Sequence, residues 1–361
     1  MEGAGSAADP EPRAVELVTM DSEPNAPEAR KHRRPSGPMI TSEDFHTLRP
    51  QWEALHAATP GATPFTHPAW HEAWLRHFGA QSASVFLSFR VDEQLVGVAA
   101  LDMERDGARS LGDPNVRDYA GPLVAPGHED VVAAGLLEWL TEDLTPRAEL
   151  WGLRAGSIFS AALIAAAEPM GWHAETTAEA VCPQADLPAD FETYLAGLSK
   201  RARHEIRRKL RKLTAAGAVS FDSVTEPGAL LAQADRFIEL MRISRDDKEE
   251  FLTPAMEAFF RDLAATFGGL GLLRLSTLRL DGKATAMTLA FENAETTFLY
   301  NSGYDPAFAT LAAGLLCKVY AIRDSIARGK RTFDFLRGDE AYKRELGGEA
   351  AGLVSVKLRR R

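Results

Sequence analysis

The chain has 361 residues, of which 45% are hydrophobic and 8% aromatic, enough for one large core or two moderate ones. A formal net charge of −10 argues against a protein that coats DNA or other nucleic acid, while leaving room for one local basic site. Cys182 and Cys317, far apart and without metal-ligand spacing, predict reduced thiols and no metal, and no apolar run reaches the roughly 18 residues of a membrane span, so a cytoplasmic protein is expected.

Residues 1–38 are rich in Ala, Glu and Pro, carry a basic cluster from Arg30 to Arg34, and lack periodic apolar positions, so they are expected to form a disordered tail. Phe45, Leu48, Trp52 and Leu55 then recur three or four apart, as on an amphipathic helix. Phe65-Thr66-His67-Pro68 opens a second helix, whose Trp70, Trp74 and Phe78 form a stripe suited to core packing. Residues 84–91 and 95–101 read as strands joined by a turn at Asp92-Glu93-Gln94. A helix over about 130–143, a strand at Leu150 and a helix over 159–167 continue a mixed α/β order.

The same hairpin returns. Ser88-Phe89-Arg90-Val91-Asp92-Glu93-Gln94 lines up with Thr277-Leu278-Arg279-Leu280-Asp281-Gly282-Lys283, 189 positions later, which suggests a duplicated domain. Pro183, Pro188 and Asp190 interrupt the pattern, so one domain is expected over 39–185 and a second over 186–361. The second half reads as a helix at Phe191, a basic helix over 200–213, a strand over 219–224 and helices over 228–245 and 254–267. Three strands with short turns follow over 270–280, 283–291 and 296–302, then a helix over 311–328 and a strand over 331–335.

The basic helix carries eight Lys or Arg in residues 200–212, with Ile206, Leu210 and Leu213 as a narrow apolar stripe. In an acidic protein this points to phosphate, from a nucleotide, a nucleotide-sugar, a lipid pyrophosphate or tRNA, or else to pairing with the protein's own carboxylates. Near the C-terminus, Thr332-Phe333-Asp334-Phe335-Leu336-Arg337-Gly338 reads as a buried strand running into a turn. That strand end carries Asp334, Arg337, Tyr342 and Lys343. A phenol can give a proton to a leaving group, and an ammonium can place positive charge near a developing oxyanion. Arg337 is placed to hold a phosphate or carboxylate, or to pair with Asp334.

The pattern Asp-Phe-Leu-x-Gly-x-x-x-Tyr-Lys at residues 334–343 resembles the C-terminal signature of CelD/BcsL-like acyltransferases of the GNAT superfamily, relatives of the Fem peptidyltransferases. The resemblance covers roughly residues 40–350 and implies an α/β protein with mixed sheets and tandem GNAT-like domains, the second binding the acyl donor. It implies transfer of an acyl group from acetyl-CoA or another acyl-CoA to an amine or hydroxyl of a polysaccharide or cell-envelope precursor. A Fem-like reaction with aminoacyl-tRNA as donor, or a non-catalytic role in an exopolysaccharide-synthesis complex, are the alternatives. Tyr342, Lys343, Asp118 and Asp334 are then the catalytic candidates. Gly303, Ala313, Gly314, Arg337 and Gly338 are the expected donor-binding positions, although Ala309 to Gly314 matches the family's glycine loop only at its last glycine. Asp118-Tyr119-Ala120-Gly121-Pro122-Leu123 resembles an element lining the cleft between the halves. With it, Tyr119, Lys200, Arg203 and Lys248 are the expected substrate or phosphate contacts.

Overall fold

The computed structural model describes residues 31–32, 39–79 and 83–361. The first half runs β1 (Lys31–His32), β2 (Met39–Glu43), α1 (Phe45–Ala58), α2 (Pro68–Phe78), β3 (Ala83–Val91), β4 (Gln94–Glu104), β5 (Gly107–Ser110), β6 (Leu123–Val124), α3 (Glu129–Glu142), β7 (Arg147–Arg154), α4 (Ile158–Ala167) and β8 (Trp172–Asp186). The second runs α5 (Phe191–Gly197), α6 (Lys200–Ala216), β9 (Val219–Val224), α7 (Pro227–Ser244), α8 (Asp246–Phe251), α9 (Pro254–Gly269), β10 (Leu273–Leu280), β11 (Lys283–Glu292), β12 (Thr296–Tyr304), α10 (Ala313–Ala327), β13 (Thr332–Asp334), α11 (Ala341–Glu345) and β14 (Glu349–Arg360). The tail expected over residues 1–38 lies outside the described residues except for Lys31–His32, which pair with Thr41 and Ile40.

The repeated hairpin in the sequence is a repeated hairpin in the backbone. β3–β4 turns through Asp92 and Glu93, and β10–β11 through Asp281 and Gly282, all four with positive φ as a tight two-residue hairpin turn requires. Each hairpin carries a register shift at the matching place, Phe89/Arg90 in one and Leu278/Arg279 in the other.

All strands join one mixed sheet in the order β1-β2-β3-β4-β5-β7-β14-β8-β13-β12-β11-β10-β9, with β6 on β4. Counted inward from β2 and from β9, the two arms are the same. Each has one parallel pair, β5 with β7 and β12 with β13, among antiparallel neighbours. The last strand of each half crosses to the other arm: β14 pairs with β7, β8 pairs with β13, and β8 and β14 pair with each other along the centre. Each half thereby covers the open inner edge of the other, an edge that would otherwise expose unpaired backbone groups.

Sequence reading passed over β2, β5, β6, β8 and β14; the alternation Val354, Val356, Leu358 is the sequence signal for β14. β8 runs straight through Pro183, whose carbonyl accepts from Phe335 N at 2.9 Å.

Side chains from both halves form a shared core. Trp70 and Trp74 of α2 stack with ring centroids 5.6 Å apart, and both meet Phe259 of α9 edge-on. Arg76 and His77, on the same helix, reach Asp262 of α9 at 2.5 and 3.1 Å. The tryptophan stripe is thus packing, and it clamps the two halves on one face of the sheet. Two further cores, one per half, fill the opposite face.

Candidate active site

β13 pairs with β12 only over Thr332–Asp334 against Thr296–Phe298. β12 continues to Tyr304, while the other chain turns away through Leu336 and Gly338, both at positive φ. A register shift at Leu289/Ala290 lodges Tyr300 as an extra residue in β12 and bends that strand. The two strands therefore splay, and a cleft of about 650 Å³ opens between them. Its walls are Tyr300 to Ser302 on one side and Phe335 to Arg337 on the other. The first turn of α10, the α11 side chains, α8 and, from the first half, Pro114, Asn115, Val116 and Asp118 close it.

Of the expected site residues, Asp118, Lys248, Ala313, Gly314, Arg337, Tyr342 and Lys343 line this cleft. Asp118 Oδ1 accepts from Arg337 N at 3.2 Å, and the Arg337 guanidinium lies 3.7 Å from the same oxygen. Burial pushes the Asp118 carboxyl up to about 7; the Arg337 charge opposes this and Asp334 adds to it. Arg337 is also paired with Glu179 at 2.8 Å, so it joins Asp118 and Glu179 rather than Asp334.

Asp334 is fully buried at the seam of the halves. Its Oδ2 accepts from Tyr119 Oη at 2.7 Å and Gln184 Nε2 at 2.8 Å, and its Oδ1 from Leu336 N at 2.7 Å. It holds the strand end in place and does not line the cleft. Tyr119 faces a different, smaller hollow, of about 410 Å³, in the first half, where the Arg154 guanidinium sits 4.7 Å over its ring.

Lys343 is 2% exposed, and all three of its N–H donors are used: Leu336 O at 3.0 Å, Arg337 O at 2.7 Å and Glu340 Oε2 at 3.0 Å. It staples the turn after β13. Gly338 belongs to that turn, with φ of 120°. Tyr342 packs edge-on against Phe335, and burial raises its phenol above the ordinary range.

Gly303 serves packing: a Cβ there would run into the backbone of Leu240 and Met241 on α7. Gly314 lets α10 start against Tyr304, 3.0 Å from where a Cβ would stand. The residue before α10, Ala312, is left-handed at φ 56°, a conformation costing roughly 1 kcal/mol for a residue with a Cβ. Lys248 Nζ donates to Asn301 Oδ1 at 2.8 Å and to Ser302 O, tying α8 over β12.

Lys200 and Arg203 lie elsewhere, on a groove of about 1390 Å³ along α6. This groove touches the cleft, since Lys209, Leu315 and Glu345 line both. Part of the α6 charge is paired within the protein, Arg207 with Glu192 and both Arg208 and Lys209 with Glu205.

Lys318 is among the cleft residues that sequence reading missed, hidden in the apolar run Leu315-Leu316-Cys317-Lys318-Val319. It is 8% exposed, and its Nζ sits 5.0 Å over the Tyr342 ring. Its place four residues after Gly314, on the same helix face, is the signal that could have found it.

Cys182 and Cys317 are buried free thiols. Among the described residues no group of three or more His, Cys, Asp or Glu could hold a metal, and no helix is long and apolar enough to cross a membrane.

Residues 200–344 match a family model described as an acetyltransferase (GNAT) domain, a span that holds most of the cleft. No curated protein matches the chain. Among solved structures, a conserved protein of unknown function from Bacteroides thetaiotaomicron VPI-5482 superposes with a TM-score of 0.61 at 12% identity, covering 89% of this chain and 99% of the other. FemX gives 0.62 at 10% identity, covering 87% and 96%. The C-terminal DUF2156 domain of a putative lysylphosphatidylglycerol synthetase from Agrobacterium fabrum gives 0.56 at 10%, covering 87% and 92%. At such identities the likeness is one of fold. The chain has the GNAT-type acyltransferase fold, laid out twice in one continuous mixed sheet.

Proposed function

We propose that the protein is an acyltransferase that takes an acyl group from an acyl-CoA, acetyl-CoA foremost, and passes it to an amine or hydroxyl of a polysaccharide or cell-envelope precursor. The observation that carries this reading is the wedge between β12 and β13, with Asp118 on one wall, Tyr342 on another and the start of α10 at its side. An Asp118 carboxyl that titrates at about 7 is matched to taking a proton from an acceptor near neutral pH. The Tyr342 phenol, held protonated by burial, is suited to give a proton to the departing thiolate. The first N–H groups of α10, at Ala313 and Gly314, together with Lys209 in the cleft lining, suit the pyrophosphate of coenzyme A. Direct transfer between two bound substrates needs no covalent enzyme intermediate.

A second reading, with aminoacyl-tRNA as donor, is favoured by one observation. The α6 groove, with Lys200, Arg201, Arg203, Arg207 and Arg211 along it, opens onto the cleft at Lys209. A polyanion laid in that groove could present its end to Asp118 and Tyr342.

The test is the thermal unfolding midpoint with acetyl-CoA, free coenzyme A, an unrelated nucleotide and aminoacyl-tRNA. A ligand that binds only the folded state stabilises it by about 2.7 kcal/mol at a hundredfold excess over Kd. A shift specific to the coenzyme A compounds supports the first reading, and a shift with aminoacyl-tRNA alone supports the second. No shift with any of them removes both and leaves a non-catalytic role.

A further inference from the structure

Lys343 is the lysine that the C-terminal motif offers for charge stabilisation, yet its three N–H groups are spent on Leu336 O, Arg337 O and Glu340. An ammonium with no donor to spare cannot form a new hydrogen bond to a reacting oxygen without breaking the turn it holds. Lys318 is differently placed. Among the described residues its one hydrogen bond is to Gly314 O at 3.2 Å, which leaves two N–H groups on an ammonium in the wall of the cleft, beside Tyr342.

We propose that Lys318 is the catalytic cation of the cleft, donating to the carbonyl oxygen of the bound acyl group as negative charge develops there. This rests on the acyl-CoA reading above. In the step itself the acceptor's nitrogen or oxygen forms a bond to the acyl carbon and the carbon–sulfur bond breaks. The acceptor's proton goes to Asp118 and the thiolate takes the Tyr342 proton. Lys318 keeps its proton throughout and supplies charge alone, which counts for more on a side chain only 8% exposed.

The charged and titratable groups around Lys318 are Cys317 on its own helix, Glu340, Tyr342 and Lys343 from α11 and the turn before it, with Lys209 of α6 and Glu345 of α11 lining the same cleft. Burial is the main influence and lowers the Lys318 ammonium to about 8; Cys317 and Glu340 oppose this and Lys343 adds to it. The charge is therefore present at neutral pH and lost on the alkaline side.

The experiment measures acetyl-CoA affinity by calorimetry and thiol release from acetyl-CoA, with hydroxylamine as the acceptor, across pH 6 to about 10, a range bracketing the lysine's titration. The wild-type chain, Lys318→Met and Lys318→Arg are compared after their unfolding midpoints are checked. The expected result is a fall in kcat of roughly 10²-fold for Lys318→Met, the loss typical of removing one oxyanion donor. Its acetyl-CoA affinity stays within a few-fold. Lys318→Arg, which remains charged at every pH used, regains much of the rate and loses the alkaline decline.

Unchanged kcat in a folded Lys318→Met, a loss confined to acetyl-CoA affinity, or an alkaline limb that persists in Lys318→Arg each overturns the assignment and leaves the acyl-CoA reading standing. No acetyl-CoA binding by the wild-type chain overturns both.

Discussion

The Tyr119 hydroxyl, from the first half, donates a 2.7 Å hydrogen bond to the Asp334 carboxylate at the end of β13 in the second. Gln184, on the strand that crosses between the arms, donates to the same oxygen at 2.8 Å. Desolvation dominates at Asp334 and raises its carboxyl; the donors from Tyr119, Leu336 and Gln184 pull the other way. The strand end of the second half that forms one wall of the cleft is thus held by two side chains of the first.

Replacing Tyr119 by Phe removes one of those donors from a carboxylate with no access to water. Loss of about 1–3 kcal/mol is expected, as for a buried polar group left short of a partner. Urea unfolding measures it, and a loss below a few tenths of a kcal/mol would show that Asp334 is satisfied without the phenol.

With Asp118 as the base, stability and activity respond to pH in opposite senses. Its folded carboxyl titrates at about 7, above the usual 3.8. Between these values the folded chain keeps a proton that the unfolded chain has released. This contribution to stability is complete below the unfolded value and is lost as pH rises towards 7. Activity, if Asp118 is the base, rises over the upper part of the same range. Asp118→Asn is expected to flatten that decline in stability, giving a chain more stable than wild type at pH 8, while acyl transfer falls by roughly 10²–10⁴-fold. Urea unfolding at pH 5 and 8, alongside rates, checks both; a variant with normal rates removes Asp118 from the chemistry.

Lys343→Met leaves the carbonyls of Leu336 and Arg337 without their buried donor. A stability loss of about 1–3 kcal/mol is expected, along with faster amide exchange in the turn after β13. If instead the variant unfolds at the wild-type urea concentration and only its rate suffers, the ammonium acts on substrate and the staple is incidental.

The shared core and the exchanged strands β8 and β14 predict that the halves unfold together. Tryptophan fluorescence from Trp70 and Trp74 and far-ultraviolet circular dichroism should then trace one coincident urea transition. Phe259→Ala, which empties the ring slot facing both tryptophans, is expected to cost about 3–5 kcal/mol and to shift both probes equally. Separated transitions would mean that each half holds its own fold.

Much of the architecture was legible in the chain because its local signals are strong. Alternating apolar residues and the Asp-Glu and Asp-Gly turns located both hairpins, and their recurrence 189 positions apart located the duplication. Apolar spacing of three and four located the principal helices, and Phe333, Asp334 and Phe335 located the strand that ends at the cleft. Local pattern carries no record of which strand lies beside which. The crossing of β8 and β14 was decided only in the tertiary structure, where each half presents an unpaired inner edge that the other's last strand can satisfy. The same holds for the site. The sequence supplied Asp118, Arg337, Tyr342 and Lys343 as a list of reactive types. Burial and reach then assigned them: Lys343 to three carbonyl and carboxylate oxygens, Asp334 to the seam, Asp118 to the cleft with a carboxyl raised to about 7. Lys318 rested unseen in an apolar helix, because one charge among Leu, Cys and Val reads as core until the fold turns that face towards Tyr342.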